Sequence, residues 1–545
     1  MANASTAVRT PPSIVIATVL GVGVPVAFLA VFFAWPVAAM IGRGVAPEGI
    51  LDLGGFGEVF SRPRTIRLLG LTLGQAALAS VLCVLLGLPV AHVLYRLQFR
   101  GRALLRALVL LPFVLPTVVV GVAFRTLLRG TPLDGTFVAI MLALVFFNVA
   151  VVVRTVGSAW EGLDPRQEDA ARVLGASPAR VFLTITLPRL GPSIAAAASI
   201  VFLFCATAFG VVLVLGGTQF GTIETEIYLL TTQFLDLRAA SVLSVTQLVI
   251  VVALLAVVGR VRGSTQRRVA IARRPRRSDA PALVAASLIT AALAVPVLAL
   301  VERSLRTSDG YGFTNFALLA GTGSRNALVV PVWVALGNSL TIAVQATVIA
   351  VTIGLVASLV LSRSPRSPTA RRALGVFDGA LLLPLGVSAV TVGFGFLITL
   401  NQPPFDLRSS PILIPIAQAL VALPLVVRTV LPVLRSIDPR LRESAAVLGA
   451  SPWRVLRDVD LSVVARPVLA ASGFAFAVAL GEFGATSFLS RPDRPTLPVV
   501  IYRLIGLPGG DNFGMAIAAS VVLAAVTVAV IALVERLRVD TVGAF

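Results

Sequence analysis

The sequence predicts an all-α integral membrane protein with twelve transmembrane helices, arranged as two tandem six-helix repeats. Three observations support this fold class. First, 57% of the 545 residues are hydrophobic, whereas soluble proteins contain roughly 45 to 50% apolar residues. Second, charge-free apolar runs of membrane-spanning length recur along the chain. Third, the second half of the chain repeats polar motifs of the first half.

The apolar runs predict helices of membrane-spanning length, because a helix that crosses a bilayer needs about 20 apolar residues. Strands of a membrane barrel would instead alternate polar and apolar residues over about 10 positions. The first run is too long for the apolar region of a cleavable signal peptide, so we expect it to be retained as a span. The predicted spans are residues 14–40, 69–92, 107–124, 135–153, 193–216, 239–259, 281–301, 333–361, 379–400, 411–427, 468–490 and 513–534.

The basic residues predict the orientation of these spans. All 45 basic residues are arginine, because the sequence contains no lysine. If the N-terminus lies in the cytoplasm, 31 arginines fall in inner segments and 14 in outer segments, as the positive-inside rule expects. We therefore expect a multi-pass protein of the plasma (cytoplasmic) membrane with both termini in the cytoplasm. The arginines lie between apolar runs and not along one face, which favours contact with membrane lipid and argues against nucleic acid.

Short motifs recur 274 residues apart. VVRTV at residues 152–156 returns at 426–430, DPR at 164–166 returns at 438–440, and FG at 209–210 returns at 483–484. A constant spacing of this kind indicates a tandem duplication. The predicted organisation is a first half at 1–259, an arginine-rich cytoplasmic linker at 260–280 and a second half at 281–545. Six spans in each half give both copies the same orientation, related by an axis along the membrane normal.

The repeated polar motif VLGASPxRV, at residues 173–181 and 447–455, predicts a helix, a tight turn and a second short amphipathic helix. Gly175 and Gly449 are placed to end the first helix in a left-handed turn, and the Ser-Pro pair supplies an N-cap and a first-turn proline. One interpretation is an amphipathic hairpin that rests on lipid headgroups or packs under the helix bundle. The other is a pair of equal docking surfaces for two equal partners.

These residues resemble the EAA loop of ATP-binding-cassette (ABC) importer permeases. The first copy reads DAA, three residues, Gly and later Leu-Pro, and the second reads ESA, three residues, Gly and later Leu-Ser. It departs from the family pattern at Asp169 (usually Glu), Ser444 (usually Ala) and Ser462 (usually Pro). The resemblance covers nearly the whole chain. The segments at 213–228 and 481–502 are most similar to the fused, two-half, binding-protein-dependent permeases for thiamine and ferric iron, the thiamine branch first.

The resemblance implies the type I importer permease fold and a small solute, thiamine or next ferric iron, delivered by an extracytoplasmic solute-binding protein. It also implies two copies of a cytoplasmic ABC ATPase docked on the two loops. A phosphate-binding loop needs GxxxxGK[ST], which a chain without lysine cannot contain, so ATP is expected on the ATPase and no cofactor on this chain. The implied ATPase-coupling residues are Asp169, Ala170, Ala171, Gly175, Pro178, Arg180, Glu443, Ala445, Gly449, Pro452 and Arg454.

Polar residues inside predicted spans are candidates for the solute path, because a buried polar group costs free energy unless it serves a function or is paired. Glu482 and Asn148 are the two candidates. For Glu482 the alternative is a carboxylate paired with a neighbouring hydroxyl or arginine, and for Asn148 it is an interhelical hydrogen bond.

Enzymatic chemistry is not expected. The chain has one histidine and two cysteines, and both cysteines lie in apolar runs, so no catalytic set, metal site or disulfide framework can be assembled. A secondary, ion-coupled transporter of the major-facilitator plan stays open as the alternative, since it also has twelve spans in two halves.

Overall fold

The structure is a computed structural model that describes residues 12–47, 49–217, 219–261, 273–307, 310–363, 367–402 and 405–539. The termini and residues 262–272 of the predicted linker lie outside the described residues, as do the predictions made for them. The described chain is almost entirely helical, which confirms the predicted fold class. Its α-helices in the first half are α1 Pro12–Leu29, α2 Trp35–Val45, α3 Gly54–Ser61, α4 Pro63–Arg96, α5 Arg102–Val114, α6 Thr117–Leu128, α7 Phe137–Glu161, α8 Arg166–Val173, α9 Pro178–Val181, α10 Leu187–Ala206, α11 Gly210–Leu215, α12 Ile223–Thr232 and α13 Leu237–Val261.

The second half repeats this series of long and short helices. They are α14 Ala280–Leu305, α15 Thr314–Ala317, α16 Val332–Leu361, α17 Pro368–Gly386, α18 Ala389–Thr399, α19 Leu413–Ser436, α20 Pro439–Val447, α21 Pro452–Val455, α22 Ser462–Gly481, α23 Thr486–Leu489, α24 Leu497–Gly506 and α25 Gly510–Val539. Short π-helical segments cover Ala30–Ala34, Phe182–Thr186 and Leu456–Leu461, and short 3₁₀ segments cover Arg277–Asp279, Leu318–Ala320 and Ser324–Asn326. Two antiparallel strand pairs join β1 Arg306–Thr307 to β2 Gly310–Tyr311, and β3 Asn401–Gln402 to β4 Phe405–Asp406.

Ten helical stretches of the described chain are each long and apolar enough to cross a membrane, and the count becomes twelve when two bent pairs are each taken as one span. The spans predicted at 107–124 and 379–400 are present as bent pairs of helices. The first is α5 and α6, which meet at 101°, and the second is α17 and α18, which meet at 93°. The first bend has a local cause: Leu115 precedes a proline and is extended, because proline disfavours the helical conformation of the residue before it.

The fifth span of each repeat also differs from the prediction. The spans predicted at 193–216 and 468–490 begin earlier, because one helical stretch runs through Pro178–Ala206 and another through Pro452–Gly481. Each stretch contains a π-helical turn, and each ends before the predicted span ends. The chain then breaks before the short helices α11 and α23.

The chain divides into two compact units that cut across the sequence halves. One unit holds the described residues up to Ala39, Leu340–Leu480 and the end of α25 from Ala529, and the other holds Met40–Ser339 and Gly481–Val528. In the first unit α1 packs against α17, a helix of the second half, and in the second unit α14 packs against α4, α5 and α6 of the first half. The first helix of each repeat therefore packs among helices of the other repeat.

Within each unit, a small residue brings two long helices together at the same point of the repeat. A Cβ added to Gly87 on α4 would lie 2.7 Å from a methyl group of Val152 on α7, and one added to Gly354 on α16 would lie 2.7 Å from a methyl group of Val426 on α19. Close approach through small residues is typical of helix packing in membranes. Cys83 and Cys205 are fully buried in the core of the second unit.

Candidate functional site: two equivalent loops and their buried braces

The two repeated loops have the same backbone conformation. Gly175 has φ +84° and Gly449 has φ +83°, a left-handed conformation that glycine adopts without steric cost. In each loop a backbone N–H bond closes the end of the first helix, from Ala176 to Ala171 and from Ala450 to Ala445, both 3.0 Å. This 6→1 bond is the mark of a Schellman turn. The glycine positions predicted from the sequence are therefore confirmed as helix-ending turns.

The serine after each turn caps the helix that follows. Ser177 Oγ accepts from the backbone N–H of Arg180, and Ser451 Oγ accepts from that of Arg454, each at 3.3 Å. A proline, Pro178 or Pro452, occupies the first turn, where its missing N–H is not needed. The predicted second helix begins at this cap, and it continues through the π-helical turn into the long fifth helix of the repeat. Each loop is thus joined rigidly to a spanning helix.

An apolar pair at the tip of each loop is exposed. Val173 and Leu174 are 86% and 87% exposed, and Val447 and Leu448 are 87% and 86% exposed. We call these two pairs the apolar tips. Highly exposed aliphatic pairs at equivalent positions of a repeat are typical of a protein interaction site. These residues belong to the shared motif, but they were not among the predicted coupling residues.

The predicted coupling residues surround the apolar tips. Ala171 and Ala445 are half-buried, and the others are exposed, namely Asp169, Ala170, Gly175, Pro178, Arg180, Glu443, Gly449, Pro452 and Arg454. Asp169 pairs with Arg172, Oδ1 to Nη1 3.1 Å. The second loop also exposes Trp453, where the first loop has Ala179. The structure gathers each set of predicted residues on one hairpin.

A buried ion pair fastens the first loop to the body of its repeat. Arg96, the last residue of α4, donates from Nη2 to Glu168 Oε2 at 2.7 Å, and Thr186 Oγ1 donates to Glu168 Oε1 at 3.0 Å. The Arg96 and Glu168 side chains are only 9% and 11% exposed. A buried charge is stable only when it is paired and hydrogen-bonded. This trio, which we call the first brace, therefore ties α8 to both α4 and the π-helical turn.

The second loop has a brace of the same design. Asp460 is fully buried; its Oδ2 accepts from Arg363 Nη2 at 2.7 Å, and its Oδ1 accepts from Arg442 Nε at 2.6 Å. Arg363 lies just beyond the end of α16, Arg442 lies on α20 and Asp460 lies on the π-helical turn. We call this trio the second brace. It links the same three elements of the repeat as the first brace.

The braces differ in where the acid sits. Position 168 on the loop helix is Glu and its equivalent 442 is Arg, while position 186 on the π-helical turn is Thr and its equivalent 460 is Asp. The acid therefore lies on the loop helix in the first brace and on the π-helical turn in the second brace. The side chains that pair with the acid differ accordingly. A comparison of identical residues between the repeats does not reveal the braces, because these positions keep their pairing but not their identity.

Glu482 is buried and its carboxylate is held by the backbone. Its Oε1 accepts from Ala485 N–H at 2.7 Å and its Oε2 accepts from Thr486 N–H at 3.1 Å, at the start of α23. The neighbouring hydroxyl of the predicted alternative is also present, because Thr486 Oγ1 donates to the Glu482 carbonyl oxygen at 2.9 Å. The carboxylate therefore shapes the break in the fifth helix of the second repeat.

Asn148 lies on α7 and is buried. Its Nδ2 donates to Leu144 O at 2.9 Å on its own helix and to Cys205 Sγ at 3.4 Å on α10. Asn148 and Glu482 share no hydrogen-bond partner among these contacts. Among the described residues no group of three or more His, Cys, Asp or Glu side chains could hold a metal ion.

Comparison with known proteins identifies the family. The model of the binding-protein-dependent transport system inner membrane component matches the chain twice, at residues 83–271 and 350–539. The chain belongs to this family. It is a multi-pass inner-membrane permease of an ABC importer, built from two permease repeats, as the resemblance of the loops predicts. Membership of this family favours an importer over the secondary transporter, which the number of spans had left open.

Several curated relatives resemble this permease over most of its length. The thiamine transport system permease protein ThiP of Brucella abortus (strain 2308) is 26% identical over 461 residues, which cover 80% of this chain and 81% of the relative. ThiP of Escherichia coli (strain K12) is 28% identical over 461 residues, covering 79% and 82%. The sulfate transport system permease protein CysT of E. coli (strain K12) is 31% identical over 210 residues, covering 36% and 74%. All three are transport permeases and not enzymes.

Proposed function

We propose that this permease imports thiamine, which an external solute-binding protein delivers, and that two copies of a separate cytoplasmic ATPase dock on the two loops and supply the energy. The observation that carries this proposal is the pair of loops with one backbone geometry, one capping pattern and equally exposed apolar tips. A docking role accounts for that exposure, because a loop that served only packing would bury the tips. Two equal surfaces fit two equal partners.

The names of the relatives support thiamine as the solute. The two relatives that align with about four-fifths of the chain are named as thiamine permeases, whereas the sulfate permease aligns with only 36% of it. Ferric iron, the second solute that the loop resemblance implied, has no support from these relatives.

The orientation follows from the arginine distribution. We place both loops and both chain termini in the cytoplasm, where 31 of the 45 arginines would then lie, in agreement with the positive-inside rule. Membrane lipid is a partner in this arrangement, since arginines at the inner surface are attracted to anionic headgroups. ATP binds to the ATPase, and this chain carries no cofactor.

The loops are built to transmit force. In the first repeat one helical stretch of 29 residues runs from the capped serine turn to Ala206, a length of about 43 Å at 1.5 Å per residue. The first brace fixes the loop helix α8 to this stretch through Thr186. A displacement of the loop by a closing ATPase therefore moves the whole fifth helix, and the permease changes between two states.

Reconstitution tests the proposal. Proteoliposomes that contain the permease, its ATPase and its binding protein are expected to take up labelled thiamine and to hydrolyse ATP faster when the loaded binding protein is present. The variant Gly175→Ala with Gly449→Ala strains both turns by roughly 1 to 2 kcal/mol each, so it is expected to lose ATPase copurification and uptake. Gly130→Ala is the matched control, because Gly130 also has a left-handed φ of +80° and open space around it but lies outside the loops.

Two outcomes would contradict the proposal. One is normal ATPase copurification and uptake by the double glycine variant. The other is thiamine uptake that persists without the ATPase and follows a proton gradient, which would restore the secondary-transporter alternative.

A further inference from the structure

A cluster of aromatic rings lies where the two repeats contact each other inside the second compact unit. Phe209 and Phe483 stack with their centroids 5.3 Å apart and their planes at 21°. Tyr228 packs edge-on against Phe209 at 5.4 Å, and Tyr502 packs against Phe483 at 5.5 Å. The residues form two pairs separated by 274 positions, so each repeat contributes one Phe and one Tyr. We call this set the ring cluster.

The ring cluster lies at breaks in the fifth helix of both repeats. Phe209 is the residue before α11, and Phe483 lies between α22 and α23. Non-helical backbone in a membrane protein is tolerated only where it is buried in protein or lines a water-filled path. In transporters, broken helices at the contact of two repeats commonly mark the solute site.

The bend between α5 and α6 is a third helix break, and it packs against the ring cluster. A Cβ added to Gly210 would lie 2.5 Å from Thr117 Oγ1 and 3.4 Å from the Phe483 ring, and one added to Gly481 would lie 3.2 Å from the Pro116 ring. Pro116 and Thr117 stand at the sharp bend between α5 and α6. Three interrupted helices therefore converge on the ring cluster, with glycines that allow the backbones to approach closely.

We propose that the ring cluster is the solute site on the transport path, closed in this structure by its own Phe209–Phe483 stack, and that it takes a planar aromatic solute. This inference rests on the proposed import function. When the two repeats separate, the Phe209–Phe483 stack opens, and so does the edge-on contact of Tyr228 with Phe488 of the second repeat, whose centroids are 5.4 Å apart. One Phe face and one Tyr edge of the ring cluster then remain on each side. A planar ring of the solute then replaces the lost ring contact, since aromatic rings prefer offset-stacked and edge-to-face neighbours. A positively charged ring gains further attraction from the ring faces.

Two kinds of variant test the ring cluster in the proteoliposomes described above. Phe209→Leu with Phe483→Leu keeps an apolar side chain at each position but removes both rings, and it is expected to reduce thiamine uptake by about tenfold or more. Phe209→Tyr with Phe483→Tyr keeps the rings and is expected to retain most uptake. Phe124→Leu with Phe146→Leu is the matched control, because these two buried rings, 5.3 Å apart, pack together within the first repeat alone.

Cross-linking tests whether the stack must open. In a background that transports with Cys83 and Cys205 replaced by alanine, Phe209→Cys with Phe483→Cys is treated with a short thiol cross-linker that a reductant cleaves. Cross-linking is expected to stop uptake, and reduction is expected to restore it. The same treatment of Phe124→Cys with Phe146→Cys is expected to leave uptake unchanged.

The possible results distinguish a failure of the ring-cluster inference from a failure of the proposed function. If the wild-type complex imports thiamine but the cross-linked Phe209→Cys/Phe483→Cys variant imports it equally fast, the ring cluster is not on the path. If the paired leucine variant transports at the wild-type rate, the cluster does not take an aromatic solute. In both cases the proposed function stands. If the wild-type complex imports no thiamine, the proposed function fails, and the ring-cluster inference fails with it.

Discussion

Arg96 and Glu168 form a nearly buried ion pair, Nη2 to Oε2 2.7 Å, that fastens the first loop helix to the end of α4. The loop therefore combines an exposed surface with a fixed base. This combination suits a part that receives a force from outside and passes it to a spanning helix, because a base that could shift would absorb the displacement.

Removal of one partner from the first brace is expected to destabilise the permease. Glu168→Ala leaves Arg96 buried without its carboxylate, and breaking a buried pair in this way lowers the free energy of unfolding by roughly 3 to 5 kcal/mol. The double variant Arg96→Met with Glu168→Leu is expected to recover most of that loss, since an apolar pair needs no counter-charge. Thermal unfolding of the purified permease measures both.

Asp169→Ala is the control for this prediction. Asp169 is adjacent to Glu168, but its side chain is 60% exposed, so its loss is expected to change stability by less than about 0.5 kcal/mol. Equal effects of Glu168→Ala and Asp169→Ala would mean that the buried pair does not hold the loop.

The second brace can be converted into the first. Arg442→Glu with Asp460→Thr reproduces the Arg-Glu-Thr set of the first repeat, whereas Arg442→Glu alone places two acids beside one arginine. The double variant is therefore expected to be more stable than the single variant, with a coupling energy of about 0.5 to 3 kcal/mol. A double-mutant cycle of thermal unfolding and uptake checks this, and additive single effects would show that the two positions do not interact.

The apolar tips are expected to contribute to binding and not to folding. Leu174→Ser and Leu448→Ser remove side chains that are 87% and 86% exposed, so the stability of the permease alone is expected to change by less than about 0.5 kcal/mol. Burial of a leucine in an interface is worth about 1.5 to 3 kcal/mol, which corresponds to roughly 10- to 100-fold in affinity. Titration of the ATPase onto each variant measures this loss, and both single variants are expected to behave alike.

Exposed leucines elsewhere provide the control for the apolar tips. Leu235→Ser alters a residue that is 73% exposed between α12 and α13, outside both loops. It is expected to leave the ATPase affinity unchanged. A Leu174→Ser variant that binds the ATPase as tightly as Leu235→Ser would remove the tips from the docking surface.

Glu482→Gln is expected to destabilise the second-repeat helix break. The carboxylate accepts two backbone N–H bonds with its two oxygens, but an amide has one acceptor oxygen and turns an NH₂ group toward the other N–H. One buried donor then loses its partner, which costs about 1 to 3 kcal/mol. Thermal unfolding measures the loss, with the exposed Glu443→Gln as control. Thiamine uptake by Glu482→Ala at the wild-type rate would take Glu482 off the solute path.

The sequence was sufficient to predict the parts of the fold that depend on local chemistry. Apolar length located the spans, and the glycine, serine and proline of each loop predicted turns that the structure reproduces at Gly175 and Gly449. These features depend on neighbouring residues alone.

Features that depend on distant contacts were not predicted. The bend between α5 and α6 is an exception, because its cause, Pro116, is local, and apolar length alone did not reveal it. The sequences of α1 and α14 contain no feature that indicates packing against helices of the other repeat. The braces pair residues that are 72 and 97 positions apart. The equivalence of the two braces is not visible in the sequence, because the acidic residue occupies a different position in each repeat.

Thiol accessibility in the assembled complex tests the central claim most directly. Leu174→Cys and Leu448→Cys are labelled with a water-soluble maleimide before and after the ATPase is added, with Phe234→Cys, a residue that is 66% exposed outside the loops, as the reference. We expect the ATPase to protect both loop cysteines equally and to leave the reference cysteine labelled. If both loop cysteines label as fast in the complex as in the free permease, the loops do not dock the ATPase.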